Sequence, residues 1–257
     1  PLMPNKADKN KPKDTEEPQA QPQPHAPVPA YAVLFQLEDV AVHGSKIAYE
    51  ALQKILGEQK IDLPVAVFSR YCLSSTPQNY LPLMMEPLGI RKVSVEKLVE
   101  QVTHAIAEQA SAAGIKLNPG LGKVLQAAHE RNFVIGVITT WTEEIGQALL
   151  AKLGLNALGT RLFSFKDVNK MFPSADVWLR TAKAIAIKPR RCLVVGGNMA
   201  ACKSAMSADL RCVAVPDDFT SFQDFSGADL VLENLDQITA KEILNTVFPH
   251  SDKALGK

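Results

Sequence analysis

Three short clusters hold the polar groups that could do chemistry: Gln36-Leu37-Glu38-Asp39, Thr139-Thr140-Trp141 and Gly196-Gly197-Asn198. Each follows an apolar run: Ala32-Val33-Leu34-Phe35, Phe133 to Ile138, and Cys192-Leu193-Val194-Val195. Glu38 and Asp39 bring titratable carboxyls, the raw material of general acid–base work. The Thr139 hydroxyl can hydrogen-bond an oxyanion, with Thr140 beside it. Gly196-Gly197-Asn198 opens a predicted helix, where bare N–H groups can receive an anion without a metal. Trp141 stands over the same opening, either to stack on a ligand or to plug the space.

Apolar runs of this kind are strands covered on both faces, as in a parallel sheet. Ligands of such sheets bind beyond the carboxyl ends of the strands, which is where the three clusters fall. Further strands are predicted at Arg161–Phe165, Cys212–Val215 and, at an edge, Asp229–Leu232. Helices are predicted between them at 121–131, Thr142–Leu153, Asp176–Ile187, Asn198–Ala208 and 239–247. Alternating strands and helices imply right-handed crossovers and a doubly wound α/β sheet.

Between the first and second strands the pattern is helical. Ser45 is the expected N-cap of a helix over 46–57. Residues 58–93 read as irregular, with Pro64, Pro77, Pro82 and Pro87 as breakers. Ser94 then caps a helix striped with Val95, Leu98, Val99, Val102 and Ile106. The expected organisation is a core of 31–44 and 118–250 with an inserted helical cap over 45–117. Residues 1–30, with eight prolines and almost nothing to bury, are expected to stay disordered, as is a short tail over 251–257. Met3 reads as the natural start, behind two residues of cloning origin.

The 257 residues carry 28 basic and 27 acidic groups, so no broad field draws the chain to nucleic acid or anionic lipid. Neither a membrane-spanning run nor a signal or transit peptide is legible, and the cytoplasm is the expected compartment. Cys72, Cys192, Cys202 and Cys212 lack CxxC spacing and histidine partners, so reduced thiols are expected rather than a metal site.

Taken in order, these segments resemble the haloacid dehalogenase superfamily. Val33-Leu34-Phe35-Gln36-Leu37-Glu38-Asp39-Val40 is similar to its opening motif, an apolar run followed by Asp-x-Asp-Gly-Val. Lys116 to Thr139 resembles the approach to its second motif, and Cys192 through Pro216 its fourth motif and the next strand. The inserted helices resemble the cap of the phosphoglycolate-phosphatase and β-phosphoglucomutase branch. The resemblance covers about residues 31–235.

The resemblance implies an aspartyl-phosphate enzyme with a magnesium ion, and it also implies what is missing. The nucleophile position is Gln36, whose amide has no anionic oxygen to attack with. The acid/base position is Glu38, one methylene longer than aspartate, and the glycine beside it is Asp39. The acidic pair of the fourth motif is Gly196-Gly197, so magnesium is expected to be lost and no cofactor remains. Thr139 matches the phosphoryl-binding hydroxyl. Lys170 is the expected third-motif lysine, with Lys166 as competitor. The glycines are either an anion site or replacements tolerated once the acids were unnecessary.

The resulting expectation is a pseudophosphatase without catalytic residues, acting as a binding or scaffold module. A protein partner would dock through the cap or the N-terminal tail. The alternatives are a metal-free sensor of a phosphate-like anion and a residual hydrolase in which Glu38 activates water.

Overall fold

The computed structural model describes residues 29–166, 168 and 171–251. Its centre is a six-stranded, wholly parallel sheet in the order β3-β2-β1-β4-β5-β6. The strands are β1 (Ala32–Gln36), β2 (Val134–Thr139), β3 (Arg161–Ser164), β4 (Cys192–Gly196), β5 (Arg211–Ala214) and β6 (Leu230–Val231). β1 lies between β2 and β4, with Leu34 opposite both Gly136 and Val194.

Alternation along β1 divides the core. Val33 and Phe35 join the cluster on one face, and Ala32 and Leu34 join the cluster on the other. All four are fully buried, each large side chain contributing about 1.5–3 kcal/mol. The helices are α1 (Gly44–Glu58), α2 (Val65–Tyr71), α3 (Pro77–Met84), α4 (Val95–Ala110), α5 (Pro119–Glu130), α6 (Glu143–Lys152), α7 (Ala175–Ala184), α8 (Met199–Ser207) and α9 (Ala240–Val247). Ser94, Asn118, Thr142, Asn198 and Thr239 each cap the following helix with a side-chain oxygen.

Helices α1–α4 lie between β1 and β2, and two of them correct the expectation of irregular chain over 58–93. Pro64 immediately precedes α2, and Pro77 is the first residue of α3. Proline in a first helical turn sacrifices only an N–H that has no helical partner, so these prolines start helices instead of breaking them.

The start of α1 also differs from expectation. Ser45 is not its cap; the helix begins at Gly44, after His43 in the left-handed region at φ 52°. A wide helical turn over Leu37–Ala41 brings the Glu38 carbonyl against Gly44, where a Cβ would lie 1.8 Å from that oxygen. Only glycine tolerates so close an approach.

At the other end, Ser251 is not part of a tail. It is buried, and its hydroxyl donates to the Phe248 carbonyl at 2.9 Å. The expectations for 1–28 and 252–257 lie outside the described residues. The four cysteines are buried and free, and no described helix is long and apolar enough to cross a membrane.

Candidate functional site

The carboxyl ends of β1, β2 and β4 bring Gln36, Thr139 and Gly196 to one edge of the sheet. Gln36 is 8% exposed, and its buried Oε1 has no partner among the described residues. Thr139 is fully buried, and its hydroxyl oxygen accepts the Trp141 N–H at 3.1 Å, which fixes the turn after β2.

The next residues of the β1 loop reach across to the neighbouring loops. Glu38 Oε1 accepts both the backbone N–H of Thr140 at 2.5 Å and its hydroxyl at 2.7 Å. Its Oε2 is buried without a partner among the described residues. Loss of water raises the Glu38 carboxyl above the ordinary carboxylate range, against the opposing pull of the Thr140 bonds.

Asp39 turns the other way, and its Oδ2 accepts the Gly197 N–H at 2.6 Å. Burial pushes this carboxyl up to about 7. The bonds from Gly197 and Asn198 oppose the rise, and the like charges of Asp217 and Glu38 add to it.

These bonds correct the picture of a bare 196–198 loop. The Gly197 N–H is held by Asp39, the Met199 N–H by Gln223 Oε1 at 2.8 Å and the Ala201 N–H by Asn198 Oδ1 at 2.9 Å. An anion arriving at this helix end would find these three N–H groups already taken by the protein's own acceptors. Asn198, 6% exposed, also accepts the Ser74 hydroxyl at 2.9 Å and so ties α8 to the loop between α2 and α3.

The magnesium implied by the resemblance does not fit this donor set. Gln36 offers a neutral amide, Asp39 is committed to a backbone N–H, and a side chain at Gly197 would begin 2.7 Å from Asp39 Oδ1. Among the described residues, no three acidic, histidine or cysteine side chains are grouped to hold a metal.

A cavity of about 360 Å³ opens above the strand ends, lined by Gln36, Glu38, Asp39, Thr140 and Asn198 from the core. Trp141 is partly buried, packs against the core and forms part of the wall. Lys166 also lines the cavity and is exposed, whereas Lys170 lies outside the described residues.

Sequence reasoning missed Phe68 on α2, Ser74 in the loop after it and Tyr80 on α3, which close the cavity from the other side. The signal was present in the apolar spacing of Phe68, Tyr80, Leu81 and Met84, but the four prolines masked it.

Comparison with known proteins agrees with this geometry. The model of the haloacid dehalogenase-like hydrolase family matches residues 33–215. YhcW of Bacillus subtilis, named as a candidate phosphatase, is 23% identical over 214 residues, covering 83% of this chain and 96% of its own. The plasmid protein CbbY of Cupriavidus necator is 29% identical over 161 residues, covering 59% of this chain and 63% of its own.

Among solved structures, CbbY from Rhodobacter sphaeroides in complex with phosphate superposes with a TM-score of 0.68 at 16% identity, covering 81% of this chain and 96% of that one. The β-phosphoglucomutase of Clostridium difficile gives 0.66 at 16% identity, covering 89% and 100%. The sheet order, the helices inserted after the first strand and the matched span together place this chain in the haloacid dehalogenase-like hydrolase family.

Proposed function

We propose that the chain is a non-catalytic member of its family, a binding or scaffold module that keeps the phosphatase fold without phosphoryl-transfer chemistry. The observation that carries this reading is at the strand ends. Where the fold needs an attacking carboxylate and a metal, it presents the Gln36 amide and an Asp39 carboxylate bonded to the Gly197 N–H. Removing the nucleophile alone costs on the order of 10⁶ in rate in a well-studied covalent enzyme, so the remaining groups leave little turnover.

The phosphatase names of relatives describe chemistry for which this chain lacks the parts. Its balanced charge fits a cytoplasmic module without affinity for nucleic acid or membrane, with a protein partner docking through the helices of 45–117 or the Pro-rich segment.

A residual hydrolase is the second reading. It draws support from one observation: Glu38 lines the cavity and its buried Oε2 has no partner among the described residues, with burial raising the carboxyl above its ordinary range. Hydrolysis of p-nitrophenyl phosphate with and without magnesium tests both readings. The proposal expects no turnover above buffer, whereas activity abolished by Glu38→Gln would establish the second.

A further inference from the structure

From the cavity's own chemistry we infer that it is a binding site for an organic ammonium compound, and not for the phosphate esters of its fold. This deepens the non-catalytic reading of the same site and rests on it. The argument begins with oxygens that have no partner. Three residues lining the cavity carry a buried side-chain oxygen with no hydrogen bond among the described residues: Gln36 Oε1, Glu38 Oε2 and the Tyr80 hydroxyl. Gln36 is 8% exposed and Tyr80 2%. Leaving such groups unsatisfied is costly, and a ligand that donates hydrogen bonds removes the cost.

Four donors beside the strand ends are already engaged. The Thr140 N–H and hydroxyl serve Glu38, the Gly197 N–H serves Asp39, and the Ser74 hydroxyl serves Asn198. Two carboxylates, Glu38 and Asp39, belong to the wall, and the one described lysine on it, Lys166, is exposed. A phosphate would therefore face the unpartnered oxygens and two carboxyl groups at the strand ends, whereas an ammonium group brings three donors.

The rest of the wall agrees with a cation on an organic body. Phe68, Tyr80, Trp141 and Phe172 belong to the lining, and aromatic rings are favourable neighbours for an ammonium head. A volume of about 360 Å³ suits a small organic molecule, being larger than an inorganic ion needs.

The test is calorimetric titration of the full chain with four matched probes: benzylamine, benzyl alcohol, benzoate and phenyl phosphate. Benzylamine is expected to bind at least about 10-fold more tightly than benzoate or phenyl phosphate, with the alcohol between. Glu38→Gln keeps an acceptor for Thr140 and removes the charge, so it should weaken benzylamine about 10-fold while leaving the alcohol within about 3-fold. Tyr80→Phe should weaken both amine and alcohol; if that variant fails to fold, Glu38→Gln decides alone.

Benzoate or phenyl phosphate binding as tightly as the amine, no amine binding at all, or an amine affinity indifferent to Glu38→Gln would each overturn the inference. Magnesium-dependent hydrolysis of the phenyl phosphate would instead overturn the non-catalytic reading, so the two failures are separable.

Discussion

Asp39 and Gly197 occupy each other's space: Asp39 Oδ2 accepts the Gly197 N–H at 2.6 Å, and a Cβ on residue 197 would lie 2.7 Å from Asp39 Oδ1. The family pattern has glycine at the first position and an acid in the fourth motif. Here the carboxylate stands on the β1 loop and the glycine on the β4 loop, and the two departures meet in one space. A carboxylate restored at 197 alone meets the one already present at 39.

The coupling should appear in a double-mutant cycle. Gly197→Asp alone must push the Asp39 carboxylate aside and then repel it, and is expected to lower the melting temperature strongly. Asp39→Gly alone frees the Gly197 N–H and costs less. The double variant should recover much of the first loss, with a coupling of about 2 kcal/mol. Additive losses measured by thermal denaturation would show that the two residues do not share this space.

The pH dependence follows from the raised Asp39 carboxyl. Its ordinary value is 3.8 and its folded value about 7. Between those values the folded state holds a proton that the unfolded state has released, so this contribution is complete below about 4 and lost as pH rises through about 7. Asp39→Asn keeps an acceptor for the Gly197 N–H and abolishes the titration. Its melting temperature should therefore gain on that of the wild type by several degrees from pH 4 to pH 8, while Glu38, shifted in the same direction, keeps part of the slope in both proteins. A pH-independent difference would mean that Asp39 is not held protonated.

Gly44 supplies a test of the loop that aims these side chains. Gly44→Ala puts a methyl 1.8 Å from a backbone oxygen that no side-chain rotation can relieve. The expected loss is about 3 kcal/mol or more, or roughly 6–12 °C for a chain of this size. Gly57, on the same helix, has nothing within 4 Å of its added Cβ. Gly57→Ala should be neutral or gain up to about 1 kcal/mol from helix propensity. Equal effects of the two substitutions would contradict the close approach.

The strands of the core were legible because their signal is local. Continuous apolar runs such as Phe133–Ile138 have few other uses, and helices expected from Thr142 and Asn198 begin directly after those residues. The positions of Gln36, Glu38, Thr139 and Gly197 then followed from the rule that strand ends carry the site.

What could not be read is pairwise and long-range. Asp39 and Gly197 are 158 residues apart in sequence, and nothing local says that one fills the room left by the other. The engaged N–H groups of the 196–198 loop were missed for the same reason, since their acceptors come from Asp39 and Gln223 as well as Asn198. Helices α2 and α3 were obscured by prolines whose meaning depends on whether they precede a helix or interrupt one.

The most direct measurement is calorimetric titration of magnesium into the wild type and into the triple variant Gln36→Asp, Asp39→Gly, Gly197→Asp. The variant restores two hard carboxylate ligands and removes the side chain in their way. The account predicts no measurable heat from the wild type at millimolar magnesium. It predicts saturable binding by the triple variant, accompanied by a rise in melting temperature. Gln36→Asp with Gly197→Asp, still carrying Asp39, should bind more weakly than the triple variant. Saturable magnesium binding by the wild type, lost on Asp39→Asn, would contradict the account at its centre, because Asp39 would then be a metal ligand and not a replacement for one.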